Sequence, residues 1–411
     1  MPLFKVTQQP KFFEFVVLMA MIISMVALSI DAMLPALPNI AADLGVTRIN
    51  DSQYVISILF AGMAIGQMIF GPMSDSVGRK YAINVGFAVF IVGCLVSLLA
   101  ETFTMMLIGR FLQGFGAAGP RVVSIALVRD RYEGREMARV MSFVMTIFIL
   151  VPIVAPALGQ AILMFSDWRG IFWMFLVLSF IALSWFNLRQ PETLLVENRI
   201  RFSIKQVLSD IKYICVIPAA MGYTIATGII FGAFLGYLSS SQQIFQQQYH
   251  LGNQFVIYFG ILAASLGLAS LLNAQLVMRF GMRRLSHGAT FFIVVLSVPF
   301  YFLAQHYSGS PPLWQVMAYL LAVFFFVGIL FGNLNALAME PLGSVAGLGA
   351  AVVGSLSTLI SVALGVIIAN AYNGTILPLV SGFALLSIGC LMVMGWTEIM
   401  SAKALKAPVK I

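Results

Sequence analysis

Runs of about twenty apolar residues recur from one end of this chain to the other, and a run of that length spans the hydrocarbon core of a bilayer as an α-helix. Twelve such runs stand near residues 12 to 37, 53 to 72, 82 to 100, 103 to 128, 138 to 163 and 170 to 188, and then 213 to 240, 253 to 277, 285 to 305, 314 to 338, 344 to 371 and 376 to 398. Composition leaves no other solvent than lipid, since 61% of residues are hydrophobic and 9% charged. In lipid every backbone polar group must bond within its own segment, so the spans are predicted to be helices and the fold class all-α membrane. The first run is too long for the apolar core of a signal peptide and is read as span one.

The net charge of +8 sits in the segments between spans, which excludes nucleic-acid binding as its purpose. With both termini in the cytoplasm, every Lys and Arg outside the spans falls on the inner side except Arg48 and Arg169. The positive-inside rule therefore orients the chain. The longest polar segment, 189 to 212, lies at mid-chain and divides it into an N-terminal bundle of six helices (1–188) and a C-terminal one (213–411). A faint internal repeat agrees, with Gly71–Lys80 after span two echoed by Leu276–Arg284 after span eight.

Span four carries two arginines, Arg110 and Arg121, inside an apolar run. Eleven residues at about 100° each bring both onto one face, with Gly114 and Ala117 between them. The face reads as a notch with a cation at each end, in a medium where a central charge costs a few kcal/mol or more. Span one carries one deep acid, Asp31, at a depth that allows a pair with Arg110; the alternatives are proton coupling or simple charge satisfaction. Arg121 has no acid at its own depth and follows Pro120, whose missing N–H frees the Gly116 carbonyl. It is expected either to snorkel to the cytoplasmic surface or to meet a visiting anion, docked between the two arginines.

The segment Gly71–Lys80 resembles the conserved loop of the major facilitator superfamily, and the likeness extends through Leu107–Gly119, Val151–Gln160, Leu28–Pro38 and the Pro191, Glu192, Thr193 ending of span six. Within that superfamily the chain looks most like the twelve-span drug:proton antiporters of the bicyclomycin and chloramphenicol resistance type. The resemblance implies two pseudo-symmetric six-helix bundles closing alternately on a central site, gated by Asp75, Arg79 and Asp130. Asp75 is expected to cap a neighbouring helix and Arg79 to pair with Asp130. Pro152, Pro156 and Gly159 in span five resemble the antiporter motif, with Ala155 and Gln160 as departures from it.

Asp31 and Arg110 are the expected proton-coupling residues, and Arg110, Gln113, Arg121, Tyr54, Ser57, Tyr223 and Asn333 the expected substrate contacts. No nucleotide-binding loop, catalytic triad or metal-ligand spacing is present, and Cys94, Cys215 and Cys390 fall in apolar runs without CxxC spacing. The expectation is a monomeric, multi-pass inner-membrane carrier, not an enzyme, with protons and a small molecule as partners and the proton gradient in place of a cofactor. The rivals are an exporter of an anionic metabolite such as a carboxylate siderophore, and a non-transporting membrane sensor.

Overall fold

The computed structural model describes residues 10–200 and 203–406; the basic residues Lys5, Arg201 and Lys410 counted in the orientation lie outside them. Twelve helices there are long and apolar enough to cross a membrane. Spans one to six are Phe12–Asp43, Asn50–Val77, Arg79–Leu98, Phe103–Arg131, Gly134–Phe165 and Arg169–Arg189. Spans seven to twelve are Pro218–Gln248, Gly252–Phe280, Met282–His306, Leu313–Gly343, Gly347–Asn370 and Leu377–Lys403. No strand occurs among the described residues. The chain divides into two compact units, Met1–Ile204 and Lys205–Ile411.

Several spans run past the apolar windows at one or both ends. Thr102 takes the N-cap of span four, its hydroxyl accepting from the Met105 N–H at 3.2 Å. Span one is interrupted instead of merely long. Its α-helix stops at Asp31 and continues through a 3-10 turn, Leu34–Ala36, into a short helix, Leu37–Asp43. Pro35 supplies the reason, since it has no N–H to donate to the Asp31 carbonyl four residues before it.

In the N-terminal unit, span four packs against both span two and span three. A Cβ added at Gly114 would run into the Leu59 carbonyl of span two, so this glycine exists to let two helix backbones touch. Ala117 on the same face is buried. The row of small residues between Arg110 and Arg121 is thus filled by span two, and the notch expected there does not exist. The expectation that an anion docks between the two arginines is corrected accordingly.

The stretch after span six belongs to the N-terminal unit. The Ile200 N–H donates to the Asp75 carbonyl at 3.0 Å, and Thr193 donates to Asp130 at 3.1 Å. A further helix, Ile204–Val216, lies within and beyond the segment read as a linker.

Candidate functional site

Span four places its two arginines in opposite circumstances. Arg110 is completely buried and spends its fork on neutral acceptors: Nε donates to the Val55 carbonyl at 3.0 Å, Nη1 to Gln113 Oε1 at 2.7 Å and Nη2 to the Ser29 carbonyl at 2.8 Å. It thereby ties spans one, two and four together. Gln113, also fully buried, directs its amide N–H at Cys94 Sγ, 2.9 Å away in span three. Both side chains thus hold helices together through these bonds, with Arg110 keeping one further N–H on each terminal nitrogen.

No ion pair joins Asp31 and Arg110 among the described residues. The guanidinium reaches span one at Ser29, and the Asp31 side chain leaves that helix about 200° round from Ser29's. Asp31 is only 4% exposed and no described side chain or backbone group donates to it. Its surroundings are set by a close approach. A Cβ at Gly159, the glycine of the span-five motif, would collide with the carbonyl of Ala32, the residue after Asp31. Span five crosses span one at this interruption, and it remains one α-helix through Pro152 and Pro156.

Arg121 is half-buried. Its one hydrogen bond among the described residues runs from Nη1 to the thioether sulfur of Met63, at 3.5 Å, and a thioether is a weak acceptor. At the start of span two, Tyr54 is half-buried and Ser57 is buried with its hydroxyl on the Gln53 carbonyl at 3.4 Å. Both flank Val55, whose carbonyl Arg110 holds.

The expected gating residues do assemble, around Arg79. Its Nε donates to Asp130 Oδ2 at 2.9 Å and its Nη1 to Ser74 Oγ at 2.8 Å, with Asp75 as a further ion-pair partner one helical turn back. The helix cap comes from elsewhere than expected. Glu192 accepts from the backbone N–H groups of Arg79 at 2.9 Å and Lys80 at 3.0 Å, so it, and not Asp75, caps span three. Asp75 cannot serve there because its carboxylate faces Arg79 on its own side of the Gly78 turn, where φ is +108°. The Pro-Glu-Thr ending after span six held the signal: an acid three residues past a helix end can reach back to a neighbouring N-terminus.

The C-terminal unit repeats this plan at the positions of the sequence echo. After the Gly281 turn, Arg283 lies 3.4 Å from Glu340 at the end of span ten and 3.5 Å from Glu398 near the end of span twelve. Tyr223 donates its hydroxyl to Glu398, which makes it part of this cluster. Asn333 and Asn273 bond amide to amide in both directions, at 3.0 and 2.9 Å, so Asn333 is a helix-packing group. Sequence reasoning left Met63, Gln67, Glu398 and Arg283 without roles, although a glutamine in an apolar span such as Gln67 is itself a signal.

Two six-helix units with a glycine turn and an ion cluster at corresponding loops define a secondary carrier built from repeats. The model of the Major Facilitator Superfamily matches residues 18–366, and the chain belongs to that family. It is 31% identical over 349 residues to an uncharacterized MFS-type transporter, YdgK, of Bacillus subtilis, covering 84% of this chain and 85% of that one. It is 28% identical over 391 residues to a bicyclomycin resistance protein homolog of Haemophilus influenzae, covering 90% and 93%. The crystal structure of a peptide transporter, POT, superposes with a TM-score of 0.74 over 97% of each chain at 13% identity, a likeness of fold.

Proposed function

We propose that this protein exports small organic molecules, drugs among them, across the bacterial inner membrane in exchange for protons, by alternating access. The observation that carries the coupling is Asp31: a carboxyl buried at a helix interruption, given no partner by any described residue. An acid so placed exchanges charge with its surroundings each time water or a substrate reaches it, whereas one locked to an arginine would keep its charge throughout the cycle. The packing of Gly159 on Ala32 places the span-five motif against this acid, so movement of span five alters its access to water. The relative named for bicyclomycin resistance supports drugs as the cargo. The charge asymmetry of the loops supports cytoplasmic termini.

Efflux of a panel of neutral, cationic and anionic compounds from cells carrying the gene, with and without a proton uncoupler, tests the reading. Asp31→Asn is expected to insert normally and to lose proton-driven accumulation outside the cell. Pumping against a gradient by that variant, with unchanged pH dependence, places the coupling elsewhere.

A further inference from the structure

Arg121 is the permanently charged group in span four that the fold leaves unpaid. Its neighbour Arg110 is far better satisfied in the same helix, with three oxygen acceptors within 3.0 Å and no exposure. Arg121 instead has one sulfur at 3.5 Å, no carboxylate among the described residues, and partial exposure. A guanidinium cannot shed its proton to escape this. Snorkelling to the membrane surface does not answer either, because the guanidinium is turned toward Met63 of span two and lies about ten residues, or roughly 15 Å, before the end of its helix.

A second unpartnered donor lies one helical turn from the sulfur that Arg121 touches. Gln67 stands one helical turn beyond Met63 on the same face of span two, 6% exposed, and its amide nitrogen is buried without a hydrogen-bond partner. Buried amide donors are nearly always bonded, so an orphan one points to a missing acceptor. The two groups are complementary to a single kind of visitor, since a guanidinium and an amide N–H both donate and neither accepts at those atoms. A neutral ligand would satisfy the amide and leave the cation; a metal ion would be repelled by it. A carboxylate or a similar oxyanion answers both, taking two parallel bonds from the guanidinium fork and a third from Gln67.

We propose that Arg121 and Gln67 form a binding subsite for the acidic group of a transported organic anion, with the Met63 sulfur as the apolar floor beneath it. The inference deepens the efflux reading by naming the class of substrate and rests on it only for the direction of transport. It differs from a notch between two arginines, because Arg110 takes no part.

Matched acid and amide probes test it on the full chain purified in detergent: benzoate against benzamide and 2-naphthoate against 2-naphthamide, by titration calorimetry at neutral pH. The acid of each pair is expected to bind at least about tenfold tighter than its amide. Arg121→Ala removes that preference, Arg121→Lys keeps part of it because the charge stays while the fork is lost, and Gln67→Leu weakens the acid severalfold. Equal affinity for acid and amide in the parent, including no binding of either, overturns the proposal, as does a preference that survives Arg121→Ala. Should Arg121→Ala fail to melt cooperatively, an acid preference unchanged in both Arg121→Lys and Gln67→Leu overturns it equally. Repeating the titration with phosphatidylglycerol in place of phosphatidylcholine separates a substrate acid from a lipid phosphate, and displacement of the acid by the anionic lipid reassigns the cation and refutes the subsite. Uncoupler-sensitive efflux of neutral drugs from cells is read separately, so the subsite and the efflux reading fail independently.

Discussion

The two units share a plan and differ in where they keep their charge. In the N-terminal unit Arg79 is 6% exposed at the side chain and gathers Ser74, Asp75, Asp130 and, through its backbone, Glu192; deeper in the same unit lie Arg110 and Asp31, both buried. In the C-terminal unit the corresponding Arg283 and Glu340 are each 54% exposed, their contacts are longer, and the deep polar groups are neutral amides and hydroxyls. An exposed pair in water gains little, while a buried charge must be fully satisfied or it costs several kcal/mol. The same repeat has therefore become a tightly bonded, charge-bearing unit in one copy and a loosely closed, neutral one in the other.

Removing charge from each copy should break this comparison most sharply at Arg110. Arg110→Ala leaves buried acceptors unmet at about 1–3 kcal/mol each and opens a cavity between three spans; the expected outcome is poor recovery of folded protein and a melting temperature in detergent lower than that of any C-terminal variant. Arg110→Lys should not rescue it, because one ammonium cannot reach three acceptors held on three helices.

Next in size is Arg79→Ala, which strips Asp75 and Asp130 of their shared partner and is expected to cost about 2 kcal/mol, tempered by the partial exposure of both acids. Turnover should fall with it while substrate affinity holds, since the cluster bonds the ends of spans two, three and four and touches no proposed ligand contact. An affinity loss matching the rate loss would move Arg79 into the binding machinery.

Arg283→Ala sets the lower end, at no more than about 1 kcal/mol, because its two ion pairs are exposed and long. A melting temperature close to the parent's sharpens the contrast between the copies; a loss as large as that of Arg79→Ala would show that the C-terminal cluster bears comparable load and erase the asymmetry.

Much of this was legible in the residues taken one at a time. A guanidinium in an apolar run announces itself, so Arg110, Arg121 and Asp31 stood out before any helix was placed. Arg79 and Asp130 were expected to meet and do, because the turn before span three and the end of span four lie at the same side of the membrane on neighbouring helices. The departures concern acceptors that carry no charge. Nothing in the letters of the sequence distinguishes the carbonyls of Ser29 and Val55 from hundreds of others, yet they hold Arg110, and the acid chosen for it by depth was left alone. Glu192 was visible only as the end of a motif, since its role depends on a chain segment folding back beneath span three.

The sequence by itself determined the solvent, the number and approximate limits of the spans and the division into two bundles, because hydropathy and charge act on each segment independently of its neighbours. Only the tertiary structure decided which of two arginines on one face is closed and which is open. That outcome turns on a glycine at residue 114 pressed to a carbonyl at residue 59 and on whether an oxygen or a sulfur stands within reach of the guanidinium, contacts between segments far apart in the chain that exist only once the helices have packed.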